Sequence, residues 1–265
     1  MKRVKNLSFC LSRKSWTDLF STTAGIIRRG SRLEPYIYLS FDDGPDPAYT
    51  PRLLDILAAC DIHASFFVVG LQCRRHPDLL RRITDEGHTL GNHGCSHLHP
   101  WAITAGKARQ EVRMGFDIIA DICNRAPRFF RPPYGRLRKS MLDEARALGT
   151  PTVLWNRSAM DWGIFGKPSA VARRLAKTER GDILLLHDAI RLKNRPAAAL
   201  RLLPDFIAAC GEQGLRFEKL DRLASAGAGQ TLLTSTGALT ASSPEPSNFA
   251  DNGKALIKET STAAR

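Results

Sequence analysis

The feature that most restricts this chain is an alternation running from residue 35 to about 224, in which short apolar runs are separated by segments of helical periodicity. The runs fall at 36–41, 64–69, 129–130, 152–155, 183–186 and 215–217, with a further strand-like segment from Thr89. Helical segments begin at Thr50-Pro51, an N-cap residue followed by proline at the first helical position, and then cover roughly 74–86, 104–123, 138–148, 168–178 and 196–213. Such alternation predicts a parallel sheet with crossover helices, either a barrel or a doubly wound sheet. At 265 residues with 43% hydrophobic content, the chain suits one large domain with a real core.

The two ends differ from this middle. Residues 1–34 form a basic leader in which Trp16, Leu19, Phe20 and Ile27 recur at helical spacing between Lys14 and Arg29. That pattern suits either a peripheral membrane contact or a helix packed on the domain. Beyond about Ala224 the composition shifts to Ala, Ser, Thr, Gly and Pro, so 225–265 is expected to be disordered: it cannot bury enough apolar surface to offset its ordering entropy. Ser8, Ser12, Arg13 and Lys14 interrupt the apolar run a signal peptide needs, and no segment is long enough to span a bilayer. Six cysteines (Cys10, Cys60, Cys73, Cys95, Cys123, Cys210) show no paired spacing and read as reduced thiols. These features predict a cytoplasmic protein, peripheral on the inner membrane face if the leader contacts lipid.

The formal charge of +13 favours acidic partners: nucleic acid, an anionic membrane face or a phosphate-bearing substrate. A nucleic-acid binder would interleave basic and aromatic residues on a recognisable module; none is visible, and nucleic acid is not expected. Arg125, Arg128, Arg136, Arg138 and Lys139 cluster in the sequence and suit either a solvated rim or a phosphate-recognising one.

Chemistry gathers where the apolar runs stop. Tyr36 to Pro45, YIYLSFDDGP, reads as a buried strand delivering two adjacent carboxylates at its tip. Neighbouring aspartates repel, so one normally needs a cation or a proton, although Asp, Gly and Pro are also ordinary turn residues. In Thr89 to Pro100, TLGNHGCSHLHP, His93 and His97 stand four apart, a separation that would put both imidazoles on one face of a helical turn. With one aspartate they would make a three-ligand site with positions open to water, while Cys95 and His99 are offset from the shared face. Arg131 to Gly135 follows Phe129-Phe130, Asp161-Trp162 follows Thr152 to Trp155, and His187-Asp188 follows Ile183 to Leu186. Polar endings of this kind suit a site at the C-terminal face of a βα barrel.

FDDGP, HGCSH, RPPYG, DW and LLLHD, in that order, resemble the motifs of the NodB-type polysaccharide deacetylases (carbohydrate esterase family 4) across about residues 36–222. The resemblance implies a distorted (β/α) barrel, often with seven strands, and metal-dependent removal of N-acetyl, or sometimes O-acetyl, groups from sugars. It implies that Asp43 joins His93 and His97 as metal ligands and that Asp42 is the base that takes a proton from the nucleophilic water. Arg131 matches the arginine that orients the base, and the backbone N–H of Tyr134 the donor to the developing oxyanion. His187 resembles the acid that protonates the departing amine, with Asp161 placed to hold its imidazole and raise its pKa. Trp162 and Leu185 would line a pocket for the acetyl methyl group.

Two histidines and a carboxylate accept Zn2+ well, with Co2+, Ni2+ or Fe2+ as alternatives. Two positions depart from the family pattern: Ser40 stands where Thr is more usual, and Ser158 where many members carry an additional aspartate, a change that bears on the support of Asp161 and His187. The expectation is a deacetylase of N-acetylhexosamine residues in a polysaccharide, oligosaccharide or lipid-linked glycan. The alternatives are an O-acetyl esterase and a non-catalytic carbohydrate-binding member of the fold. A diphosphate-linked glycan made on the inner membrane face would suit both the basic rim and the missing signal run.

Overall fold

The computed structural model describes residues 25–191 and 194–224. The expected leader up to residue 24, with Trp16, Leu19 and Phe20, and the expected disordered tail from 225 lie outside the described residues. Nine strands occur among the described residues: β1 (Ile26–Ile27), β2 (Tyr36–Asp42), β3 (Ser65–Val68), β4 (Thr89–Asn92), β5 (Phe129–Phe130), β6 (Thr152–Val153), β7 (Arg157–Ser158), β8 (Ile183–His187) and β9 (Arg216–Phe217). The helices are α1 (Thr50–Ala59), α2 (Gly70–Arg75), α3 (Pro77–Asp85), α4 (Ala105–Cys123), α5 (Lys139–Ala147), α6 (Pro168–Leu175) and α7 (Pro196–Glu212). All seven strands read from the sequence are present; β1 and β7, two residues each, add to them. Ile27, read within an amphipathic helical segment, instead lies in β1 beside β6.

Every strand pairing is parallel, and the order β1-β6-β5-β4-β3-β2-β8-β7 steps one way round from β2, with β9 beside the start of β2. A doubly wound sheet would instead reverse direction near its middle. The sheet therefore curls as a barrel that stays open between β1 and β7 among the described residues.

Strand alternation divides the side chains into two layers. Ile37, Leu39 and Phe41 of β2 face outward into the main core with Leu53, Leu54 and Leu57 of α1 and Leu200 and Leu203 of α7. Tyr38 faces inward with Phe67, Phe129, Val153, Ile183 and Leu220, an apolar plug that fills the barrel's lower part. Gly91 belongs to this layer because a Cβ there would stand 2.4 Å from the Phe67 ring. The next inward positions up the barrel bring the first polar groups, Ser40 and Asp42 on β2 and, beyond Leu185, His187 on β8. The plug thus forms the floor of whatever site lies above it.

Two local expectations are corrected. The segment 74–86 is two helices broken at His76, because the following Pro77 disfavours helical backbone in the residue before it. Thr50 is not the cap of α1: Tyr49 precedes the helix without a side-chain cap, and the Thr50 hydroxyl instead donates to Asp188 Oδ2 at 2.6 Å and accepts from Asp46 N.

Candidate active site

Asp42 is the last residue of β2, and the pleat aims it into the barrel mouth. Arg131, just beyond β5, meets it there: Nη1 donates to Asp42 Oδ1 at 2.6 Å and to Ser40 Oγ at 2.9 Å. The guanidinium is 0% exposed, so every donor needs a partner. Nε and Nη2 donate to the carbonyls of Val153 and Leu154, each at 3.3 Å, and the plane lies 3.7 Å from the Phe67 ring centroid. Burial pulls its pKa down and Asp42 pulls it back up. Ser40, the departure from the usual threonine, accepts from Arg131 and donates to Leu184 O at 2.6 Å, so the change keeps the hydroxyl's hydrogen bonds.

Strand alternation would send Asp43 outward after Phe41. Its backbone takes φ 82, unusual for a residue other than glycine, and the carboxylate swings back over the mouth toward His93 and His97. Two contacts hold this turn: Gly44 N donates to Asp188 Oδ1 at 3.1 Å, and Asn194 Nδ2 donates to Asp43 Oδ2 at 2.5 Å.

The histidine pair is correct as a pair but not as a helical face. Residues 93–99 form a loop after β4, and His97 reaches His93 because its own backbone is left-handed, φ 59. The ring centroids are 4.9 Å apart. Asn92 and Glu111 shape this loop. Asn92 Oδ1 accepts from Gly94 N while its Nδ2 donates to Val112 O, and buried Glu111 accepts from Ser96 N and Oγ. Cys95 lies in the main core and His99 caps a short turn, both outside the cluster.

His93 Nδ1 donates to Arg131 O at 2.7 Å, which turns the Nε2 lone pair inward. Burial lowers the His93 pKa to about 4 against the pull of Asp42, so this imidazole is neutral. Asp43 Oδ1 lies 2.9 Å from His97 Nε2 and 3.7 Å from His93 Nε2, yet it is buried without a hydrogen-bond partner. Burial alone would raise the Asp43 carboxyl; contact with His97 and the charges of His187 and His93 hold it well below the usual carboxylate range. An ionised, unpartnered oxygen and two imidazole nitrogens, all within 4.8 Å of one another, fit a first-row divalent cation.

His187 faces this cluster from β8, where it is the register partner of Asp42. Asp161, 0% exposed, holds it twice: Oδ1 accepts from the ring Nδ1 at 2.7 Å and Oδ2 from the backbone N–H at 2.9 Å. Burial lowers the His187 pKa, but the charge and hydrogen bond of Asp161, together with the charges of Asp43 and Asp42, outweigh it and raise the value to about 9. Ser158, which replaces an additional family aspartate, lies in β7, and its Oγ accepts from Met160 N. The Asp161–His187 pair forms without it.

The pocket between these groups is about 460 Å3. Trp162 and Leu185 line it as expected, and so does Tyr134, with φ 58 and its ring edge-on to His97 at 4.6 Å. Trp155, Arg191 and Asn194 line it too and were not read from the sequence. The expected basic cluster is dispersed. Arg125 and Arg128 line a cavity at the opposite, N-terminal end of the strands, Arg138 is buried on the carbonyls of Pro100 and Ile103, and Lys139 pairs with Asp143. Arg136 alone reaches the pocket, where Arg191 joins it.

The fold and these pairings define a barrel hydrolase with a candidate metal centre. The chain belongs to the polysaccharide deacetylase family. The family model "Polysaccharide deacetylase" matches residues 29–153, which ends before Asp161 and His187. A peptidoglycan-N-acetylglucosamine deacetylase of Bacillus cereus is 34% identical over 72% of this chain and 88% of its own length. A chitooligosaccharide deacetylase of Rhizobium leguminosarum bv. trifolii is 34% identical over 71% and 81%. Among solved structures, a peptidoglycan N-acetylglucosamine deacetylase in complex with 4-naphthalen-1-yl-N-oxidanyl-benzamide superposes with a TM-score of 0.70 and 27% identity, covering 78% of this chain and 94% of that one.

Proposed function

We propose that this protein is a metal-dependent deacetylase that removes N-acetyl groups from N-acetylhexosamine residues of a glycan. One observation carries the reading: the Asp42–Arg131 pair and the His187–Asp161 pair flank the same Asp43, His93 and His97 cluster. The named activities of the peptidoglycan and chitooligosaccharide deacetylases to which the chain is similar support the same chemistry.

A divalent cation held by Asp43, His93 and His97 would lower the pKa of a water and polarise the acetyl carbonyl. Asp42, oriented by its pair with Arg131, accepts the proton of the attacking water. The Tyr134 N–H is assigned to the charge that develops on the acetyl oxygen. His187 donates its proton from Nε2 to the departing nitrogen while Nδ1 stays bound to Asp161. An amine leaves poorly unprotonated, and an imidazole raised to about 9 carries its proton at neutral pH, which favours N- over O-deacetylation. Trp162 and Leu185 supply the apolar wall for the acetyl methyl.

For the glycan itself, Arg136 and Arg191 in the pocket wall support a substrate that carries a phosphate or carboxylate near the reacting sugar. The formal charge of +13 supports a phosphate-bearing lipid-linked glycan and contact with an anionic membrane face. The five described cysteines are free, which supports a reducing, cytoplasmic setting. Zn2+ is the metal the donor set suits best.

The test is acetate release from short N-acetylglucosamine oligomers by protein stripped of metal and refilled with Zn2+, beside Asp42→Asn and His93→Ala. Metal-dependent release lost in both variants is expected. Tight metal binding without release from any acetylated glycan would instead favour a binding protein.

A further inference from the structure

The chain between β8 and α7 reaches three of the loops that build the pocket. Ile190 N donates to Asp46 Oδ2 beyond β2 at 3.3 Å, and Arg191 Nη2 donates to Ser96 O beyond β4 at 3.0 Å. Arg195 N donates to Asp161 O at 2.7 Å, and Asn194 forms an antiparallel bridge with Trp162. In the middle of these ties, the Asn194 side chain donates to Asp43 Oδ2 at 2.5 Å.

The direction of that last bond follows from charge. The oxygens of a carboxylate ligand accept only, so the amide presents its N–H to Asp43 Oδ2 rather than its carbonyl. With Oδ2 tied to Asn194, the carboxylate is fixed in rotation and Oδ1 is left turned toward His97 and His93. That oxygen is the buried one with no hydrogen-bond partner.

We propose that Asn194 is a positioning residue for the candidate metal centre. Its amide sets which oxygen Asp43 offers to the cation, and its backbone fastens that setting to the Asp161–Trp162 turn that holds the acid. The inference rests on the assignment of Asp43, His93 and His97 as ligands. Outer partners of ligating groups typically contribute about 10- to 100-fold in metal affinity.

The experiment uses the full chain, stripped of metal, with the Zn2+ dissociation constant measured by competition against a chromophoric chelator. Thermal and denaturant melts are run with and without Zn2+. Asn194→Ala is expected to raise the dissociation constant about 10- to 100-fold, with Asn194→Ser, which keeps a donor on a shorter arm, in between. The metal-free melts stay close to wild type, because Asn194 is only half-buried and the backbone ties remain. At saturating Zn2+ the metal-linked stabilisation shrinks by about 1.4 to 2.7 kcal/mol, the same fold-change expressed as free energy. An unchanged dissociation constant in Asn194→Ala overturns the proposal and leaves the ligand assignment standing. So does a lower metal-free melt at unchanged affinity, which marks a merely structural residue. A wild-type chain that binds no divalent cation overturns both.

Discussion

Replacing Asp161 with asparagine tests the acid half of the site. In the wild-type chain Asp161, with lesser contributions from Asp43 and Asp42, raises the His187 pKa from 6.5 to about 9 against the opposing effect of burial. At about 1.36 kcal/mol for each pH unit, this is about 3 kcal/mol in favour of the imidazolium. Asparagine removes that charge and leaves the burial, so the His187 value falls, with only the charges of Asp43 and Asp42 still raising it. An asparagine also cannot reproduce both bonds. If its carbonyl accepts from Nδ1, its NH2 meets the His187 backbone N–H, donor against donor, where Oδ2 now accepts at 2.9 Å. A clash of that kind in a buried site costs roughly 1–3 kcal/mol.

The assay has two readouts. In metal-free protein, the His187 ring followed by NMR titrates near 9 in wild type and at a lower pH in Asp161→Asn. In the metal-loaded enzyme the cation's charge lowers both values, so the displacement of the alkaline limb of kcat/KM for acetate release is what counts. Above both values the protonated fraction falls about tenfold for each pH unit of displacement, which sets the expected loss of rate there. Stability follows the same sign. Because the folded value lies above the unfolded one, the contribution of His187 is whole below about pH 6.5 and is lost as pH rises through about 9. An alkaline limb in Asp161→Asn that coincides with wild type would refute the assignment of His187 as the acid.

Asp42→Asn should abolish acetate release and also destabilise the fold by roughly 3–5 kcal/mol in denaturant melts, because it leaves the fully buried Arg131 without its counter-charge. Tyr134→Ala keeps the backbone amide, so kcat should stay within about tenfold of wild type; a thousandfold loss in single-turnover assays would move the role to the side chain. Asp188 is raised by burial from 3.8 to about 7, opposed by its bond from Thr50, so it reduces stability progressively as pH rises from about 4 through 7, by up to about 4 kcal/mol. Asp188→Asn keeps the bond from Gly44 at Oδ1 and requires the Thr50 hydroxyl to turn and accept from the NH2 instead of donating, and urea melts at pH 5 and pH 8 should show that this pH-dependent loss disappears.

The barrel was legible because its strands are short apolar runs that stop at polar residues, a pattern that needs no tertiary knowledge. β1 and β7 were not, since two-residue strands carry no period. The histidine pair was found for a reason that does not hold here: spacing by four suggested a helical turn, whereas a left-handed backbone at His97 brings the rings together. Dispersal of the basic cluster follows from strand direction. Arg125 and Arg128 precede β5 and fall at the barrel's lower end, whereas Arg136 follows it and falls at the mouth. Sequence adjacency hides that split, although a strand assigned at 129–130 already implies it. Glu111 had a signal, a carboxylate on the same helical face as the buried Ala108, Val112 and Gly115. Asn194 had none, because its partner lies 151 residues away and its segment has no periodicity.

The register of β2 against β8 poses a problem that the rest of the site answers. Asp42 and His187 are direct partners on neighbouring parallel strands, with both side chains on the inner face. Strands in a ladder lie about 4.8 Å apart, so a charged carboxylate and an imidazolium at that position would close on each other and quench both. Each is held instead by a group from further round the barrel: Arg131, beyond β5, holds Asp42, and Asp161, beyond β7, holds His187. The two anchors draw the pair apart in opposite directions, and the space they keep open is where Asp43, His93 and His97 converge. Losing either anchor therefore does more than shift one pKa. It frees one member of the pair to move toward the other and narrow the pocket between them.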